Sequence, residues 1–99
     1  MRRAARKDAN QAEIVEALRA CGASVHILDE KDLPDLLVGY RGCTILMECK
    51  DGSRKPSERR LRPGQQRFFD EWRGGRAVKV ETLEDALAAL KSTIRREPE

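Results

Sequence analysis

The sequence predicts a single α/β domain in which a small mixed β-sheet is flanked by helices. Three segments repeat apolar residues at helical spacing, and short runs rich in β-branched residues lie between them. The resulting order is α-β-β-β-α-β-α, which places helices on a sheet around one core. A chain of 99 residues has room for one modest core. We therefore expect residues 1–99 to form one domain.

The first and last helices have clear apolar stripes. In "DANQAEIVEALRACG" the stripe includes Ile14 and Leu18, and Asp8 is the expected cap. In "TLEDALAALKSTIRR" the helix starts at Thr82, and Asp85 lies at the capping-box position. Both helices therefore have one face to bury against the sheet.

The middle helix starts at Pro63 and runs to a Gly-Gly pair. Proline is favoured at the first position of a helix, where its missing N–H is not needed. Phe69 and Trp72 share one face of this helix, with Phe68 beside them. We expect these three aromatic side chains to belong to the core.

The strands are predicted at "ASVHIL", in a hairpin, and at "AVKVE". The hairpin joins residues 36–38 to residues 44–49 through a turn around residues 39–42. In its second arm, Ile45 and Met47 are on one face and Leu46 is on the other. This pattern is typical of a central strand that is covered on both sides.

Charge and composition favour an anionic partner. The formal net charge is +3 and the isoelectric point is about 9.0. One basic cluster is an N-terminal arm at residues 1–7, expected to be mobile like the tail at residues 95–99. The second lies in a polar segment at residues 51–62, interpreted as a flexible loop. Its basic residues, the candidate nucleic-acid contacts, are Arg54, Lys55, Arg59, Arg60 and Arg62.

Cysteine usage and hydropathy indicate a protein of the cytoplasm. The three cysteines have no paired spacing and no secretory signal precedes them, so we expect no disulfide framework. The apolar runs are too short to span a bilayer.

Two charged residues end the strand that otherwise appears buried. Glu48 and Lys50 are two residues apart, so they share a face, about 7 Å from each other. If the hairpin loop has two residues, Asp35 lies opposite Glu48; with four residues it lies diagonal to Glu48. Both registers place Asp35 on the Glu48 face, whereas a three-residue loop needs a bulge to do so.

Two carboxylates held together and partly buried require a compensating cation. Oxygen ligands without thiolate or imidazole indicate a hard cation, Mg²⁺ or Mn²⁺. Lys50 lies beside that position, where it can orient a water or stabilise negative charge on a phosphate. The Cys49 side chain faces the core, but its backbone carbonyl is a further candidate metal ligand.

The pattern Pro34-Asp35, a spacer and Glu48-Cys49-Lys50 resembles the P-D-x(n)-E-x-K motif of PD-(D/E)XK nucleases. More narrowly, the chain resembles the small stand-alone VRR-NUC domains often encoded by bacteriophages, from the first helix to the strand at residues 77–80. The resemblance implies a restriction-endonuclease-like core. It assigns Asp35 and Glu48 as metal-binding acids and Lys50 as the catalytic lysine.

Two glutamines complete the implied site. The segment "LRPGQ" resembles the start of the family's following helix and gives Gln65 a catalytic role. Related nucleases often have a glutamate on the first helix, and Gln11 occupies that position here, with Glu13 as the alternative. A neutral amide binds a cation more weakly, so the number and affinity of metal ions are open at this point.

The expected function is a metal-dependent DNA endonuclease. One site cuts one strand, so a chain this small that processes both strands is expected to act as a homodimer. The resemblance implies branched DNA such as a Holliday junction as the substrate, and the expected location is the cytoplasm of a bacterial or phage-infected cell. One alternative is a non-catalytic nucleic-acid-binding or partner-binding module of the same fold, which Gln11 favours. Another is a toxin-like RNase.

Overall fold

The computed structural model describes residues 9–93 and confirms the predicted element order. The basic arm, the Asp8 cap and the tail at residues 95–99 lie outside the described residues. None of the helices between residues 9 and 93 has the length and hydropathy that a bilayer crossing needs. The helices are α1 (Gln11–Ala20), α2 (Pro63–Glu71) and α3 (Leu83–Thr93), and the strands are β1 (Ser24–Ile27), β2 (Leu36–Tyr40), β3 (Cys43–Cys49) and β4 (Arg76–Val80).

The strands form a mixed sheet in the order β1-β2-β3-β4. Strands β1, β2 and β3 pair antiparallel, whereas β3 and β4 pair parallel, so β3 is a central strand as predicted. The sheet and the helices packed on it confirm the predicted fold class.

The hairpin loop between β2 and β3 has two residues. Tyr40 pairs with Cys43, and the loop residues Arg41 and Gly42 have φ angles of 50° and 82°. Two positive φ angles are typical of a type I′ turn, whose twist matches that of the strands. The register runs from this turn to the pair Leu36 and Met47, so the next pair along places Asp35 opposite Glu48.

One face of the sheet is closed by α1 and α3 over an apolar core. The side chains of this core come from both helices and from all four strands. Those that are fully buried include Ile14, Leu18, Leu36, Val38, Ile45, Met47, Cys49 and Val80.

The other face meets α2, and the prediction that its aromatic residues are core is wrong. Phe68 and Phe69 are half-buried and Trp72 is 39% exposed. The buried residue of α2 is Gln65, in its first turn. The N-terminal end of α2 is therefore the end that is held against the sheet. At the other end Phe68 stacks on Trp72, with 5.3 Å between ring centroids.

Regular structure that the sequence does not predict occurs in residues 51–62. A 3₁₀-helix spans Pro56–Glu58, and the Glu58 N–H donates to the Lys55 carbonyl at 2.8 Å. The Lys79 ammonium on β4 donates to the Arg59 carbonyl at 2.9 Å. The basic segment therefore has defined contacts with the sheet.

Candidate active site

The polar end of β3 is buried. The residues Glu48 and Lys50 are 3% and 6% exposed, unlike an ordinary solvated ion pair at the end of a strand. With Asp35 they line a cavity of about 880 Å³. Gln11 and Gln65, near the starts of α1 and α2, line the same cavity. The structure therefore brings together the four side chains predicted to be catalytic, with Gln11 beside them.

Gln65 connects the acid and the lysine. Its Nε2 atom donates to Glu48 Oε2 at 3.0 Å, and its Oε1 atom accepts from Lys50 Nζ at 3.1 Å. The Arg62 backbone N–H donates to the same Oε1 atom at 2.8 Å, which fixes the amide at the helix start. Lys50 Nζ lies 3.5 Å from Glu48 Oε2. The side chain of Gln65 thus orients both charged groups.

Asp35 is attached to the backbone of the neighbouring strand. Its Oδ2 atom accepts from the Cys49 N–H at 2.9 Å. The Cys49 side chain is fully buried in the apolar core, as predicted, while its main chain lies beside the acids. A strand is well suited to this arrangement because successive side chains point to opposite faces.

The charged form of Glu48 is disfavoured at its position in the fold. Burial raises the pKa of Glu48 to about 7, the nearby Asp35 carboxylate adds to the rise, and Lys50 opposes it. Its Oε1 atom is buried and has no hydrogen-bond partner. A buried acceptor of this kind needs a compensating group. Two opposed carboxylates with such an oxygen suit a hard divalent cation.

The protein itself provides a small set of acidic ligands. Among residues 9–93, no group of three or more His, Cys, Asp or Glu side chains is arranged to hold a metal ion. A cation between Asp35 and Glu48 would need neutral oxygen ligands as well. Gln11, the first residue of α1, is 5% exposed and lines the cavity, whereas Glu13 is exposed. Of the two candidates on α1, the structure places Gln11 at the site.

A solved structure described as a "VRR_NUC domain" is similar to this chain. The two are 27% identical, with a TM-score of 0.63, and the match covers 82% of this chain and 89% of that one. The chain has the VRR-NUC nuclease fold. No protein-family model and no curated protein matches it. The structural match confirms the resemblance drawn from the motif.

The predicted DNA-contacting residues occupy different positions on this VRR-NUC fold. Arg54 and Arg62 line the cavity, and Lys55 and Arg60 are exposed. Arg59 is half-buried. Its guanidinium forms an ion pair with Glu81 at 3.0 Å, because the 3₁₀-helix brings it to the end of β4.

Asn10, which the sequence does not predict as a site residue, contacts two strand ends of the VRR-NUC fold. Since α1 begins at Gln11, Asn10 occupies the N-cap position. Its Nδ2 atom donates to the backbone carbonyls of Lys50 and Glu81. The position of an asparagine before a helix predicts a cap, and no local signal shows partners so distant in sequence.

Proposed function

We propose that the protein is a metal-dependent DNA endonuclease that hydrolyses phosphodiester bonds at the site of Asp35, Glu48 and Lys50. The observation that carries the proposal is the buried Glu48 carboxylate opposite the half-buried Asp35, with the buried Lys50 ammonium beside Glu48. The buried Glu48 oxygen without a hydrogen-bond partner suits a hard divalent cation. The VRR-NUC fold supports a nuclease over an unrelated binding domain.

The proposed cofactor is Mg²⁺ or Mn²⁺. Asp35 and Glu48 would hold it, with the Cys49 carbonyl and Gln11 as additional oxygen ligands. When bound, such an ion supplies Lewis acidity toward the phosphate and a water of lowered pKa. The chain's own contribution is to keep these ligands together in one cavity.

Lys50 and Gln65 act on the substrate side of the site. The buried Lys50 ammonium stabilises the negative charge that develops on the phosphate as water attacks in line. Gln65 holds Lys50 and Glu48 in fixed positions through its two hydrogen bonds. Both α1 and α2 begin at the cavity, so their positive ends favour an anion there.

DNA is the proposed substrate, bound through phosphate contacts. Arg54 and Arg62 lie at the cavity, and Lys55 and Arg60 extend the basic surface. Arg59 supports that surface through its ion pair with Glu81. One site cuts one strand, so we propose a homodimer acting on branched DNA such as a Holliday junction. The proposed location is the cytoplasm of a bacterial or phage-infected cell.

The test is cleavage of branched and duplex DNA with Mg²⁺ or Mn²⁺ by wild type and Asp35→Asn. We expect the variant to lose at least roughly 100-fold in rate while it still binds DNA. Asp70→Asn is the matched control, because Asp70 is exposed on α2 and its carboxylate accepts from Gln66, away from the cavity. Unchanged cleavage by Asp35→Asn would reject the assigned site.

The second candidate is a catalytically weak or inactive nucleic-acid-binding module. Gln11 favours it, since a neutral amide stands where related nucleases often have an acid. Wild type that binds branched DNA but cuts neither DNA nor RNA would support this module. Cleavage of RNA alone would instead indicate a ribonuclease.

A further inference from the structure

Asn10 joins three elements at the base of the candidate site. Its Nδ2 atom donates to the Lys50 carbonyl at 3.2 Å and to the Glu81 carbonyl at 3.0 Å. Asn10 directly precedes α1, Lys50 directly follows β3, and Glu81 directly follows β4. One side chain therefore ties a helix start to the ends of two neighbouring strands.

These two hydrogen bonds, called here the Asn10 bridge, take the place of the helix-capping hydrogen bond that an N-cap side chain usually makes. Asn10 stands at the N-cap of α1, yet its side chain makes no capping hydrogen bond, and its Oδ1 atom is buried without a partner. An N-cap side chain normally accepts from a backbone N–H of the first turn. Both groups beside Nδ2 are carbonyls, which only accept, so the opposite orientation of the amide would place oxygen against oxygen.

The bridge acts on two residues of the cavity. Lys50 lies just past the end of β3, where its N–H donates to the Val80 carbonyl at 2.9 Å. Asn10 holds the carbonyl of the same residue, so the Lys50 backbone is fixed on both sides. Gln11 follows Asn10 in the chain and lines the cavity. Asn10 therefore links the backbone next to Gln11 to the backbone of Lys50.

We propose that Asn10 is a positioning residue that fixes the Lys50 ammonium and the Gln11 amide relative to each other. The proposal rests on the proposed function, since it assigns Asn10 to the same reaction. Asn10 touches no substrate: it acts through the backbone of Lys50. Small misplacements of a catalytic group reduce rate strongly, because the reacting atoms require close alignment.

The decisive variant is Asn10→Ser. Serine is as good an N-cap as asparagine, so α1 keeps its start, but its short hydroxyl does not reach both carbonyls. We expect kcat on branched DNA with Mn²⁺ to fall roughly 10- to 100-fold, with KM within about twofold of wild type. Asn10→Asp is the second variant, because it keeps the shape of the side chain but replaces the donating Nδ2 with an oxygen that only accepts.

Arg19→Met is the matched control. Arg19 ties the other end of α1 to β1 through a side-chain hydrogen bond from Nη2 to the Val25 carbonyl at 2.6 Å. Its loss should lower the melting temperature about as much as Asn10→Ser and leave kcat within about twofold. Equal loss of kcat in Arg19→Met and Asn10→Ser would overturn the proposal, since loss of stability would then explain both.

A second readout does not depend on cleavage. The Lys50 Nζ signal in selectively ¹⁵N-labelled protein reports the place of the ammonium beside Gln65. We expect it to shift in both Asn10 variants and to stay unchanged in Arg19→Met. If wild type cuts no nucleic acid, the proposed function fails, and this signal still decides the role of Asn10. An unchanged signal in both Asn10 variants would reject the positioning role.

Discussion

The two faces of β3 are buried to nearly the same extent, but burial has opposite consequences on them. On the α1 and α3 side, Ile45 and Met47 are fully buried among apolar neighbours. On the α2 side, Glu48 and Lys50 are 3% and 6% exposed. Burial of the first pair stabilises the fold, whereas burial of the second pair costs free energy unless charge is compensated. Exposure alone therefore does not distinguish the core from the site.

The largest effect should come from the apolar face. We expect Met47→Ala to reduce the free energy of unfolding by roughly 2–5 kcal/mol, because the change leaves a cavity in a fully buried position. Leu37→Ala is the control on the opposite face of β2, where the side chain is 36% exposed. Urea denaturation measures both, and an equal loss in the two variants would contradict the difference between the faces.

The next effect should come from the polar face and appear in activity. We expect Lys50→Met to slow cleavage of branched DNA roughly 100-fold, since the variant keeps the length of the side chain and loses its charge. DNA affinity should remain close to that of wild type, because Arg54 and Arg62 are intact. Single-turnover cleavage and binding in Ca²⁺ separate the two quantities. A loss of binding equal to the loss of rate would assign Lys50 to substrate affinity instead.

Acidity should weaken metal binding about tenfold between pH 8 and pH 6. The pKa of Glu48 is about 7, and a carboxylate must lose its proton before it binds a cation. Affinity for Mn²⁺ should therefore rise with pH through neutrality. Calorimetric titration at the two pH values measures it. The same pH dependence in Glu48→Gln would show that another group is responsible.

In the absence of metal, Glu48 should make the stability of the fold decrease as pH rises, whereas the affinity for Mn²⁺ increases. Unfolded Glu48 loses its proton near its ordinary pKa of 4.5, whereas folded Glu48 keeps it up to about 7. The folded state then binds more protons in this window, so stability falls as pH rises. We expect thermal melts in a chelator to show this fall between pH 5 and pH 8. The slope should be smaller in Glu48→Gln.

The smallest effect should distinguish two arginines of the basic segment. We expect Arg62→Ala, at the cavity, to weaken DNA binding a few-fold and to reduce the salt dependence by about one phosphate contact. Arg59→Ala should change the salt dependence less, because its guanidinium is already paired with Glu81. Binding isotherms at several salt concentrations make the comparison. Equal slopes for the two variants would contradict the assignment of Arg59 to a supporting role.

The sequence predicted the fold and the arrangement of the acids for local reasons. Alternation along β3 separates Met47 from Glu48, and a two-residue loop was one of two registers that bring Asp35 to the Glu48 face. Both rules operate within one hairpin. The resemblance of "LRPGQ" to the start of the family's helix likewise pointed to Gln65, which is the buried residue of α2.

The wrong prediction for α2 and the contacts that were not predicted depend on distant parts of the chain. Trp72 has the spacing of a core residue, but α2 is anchored by Gln65 and leaves its aromatic end partly exposed. Arg59 belongs to a run of basic residues, yet its partner Glu81 comes from another strand end. Asn10 has the position of a helix cap and uses its amide elsewhere. Composition and hydrophobic periodicity do not predict which distant residues pair in the fold.

The parallel pairing of β3 and β4 has a consequence for how the protein can vary. A chain that pairs two consecutive strands in parallel must return across the sheet through a long connection. Here that connection contains Arg54, Arg62 and Gln65. The segment that the parallel pairing requires therefore also places two arginines and the glutamine beside the acids. Asp35 and Glu48 are set by the preceding hairpin and do not depend on the length of the return. Insertions before α2 can therefore change what the cavity accepts while the pair of acids stays in register.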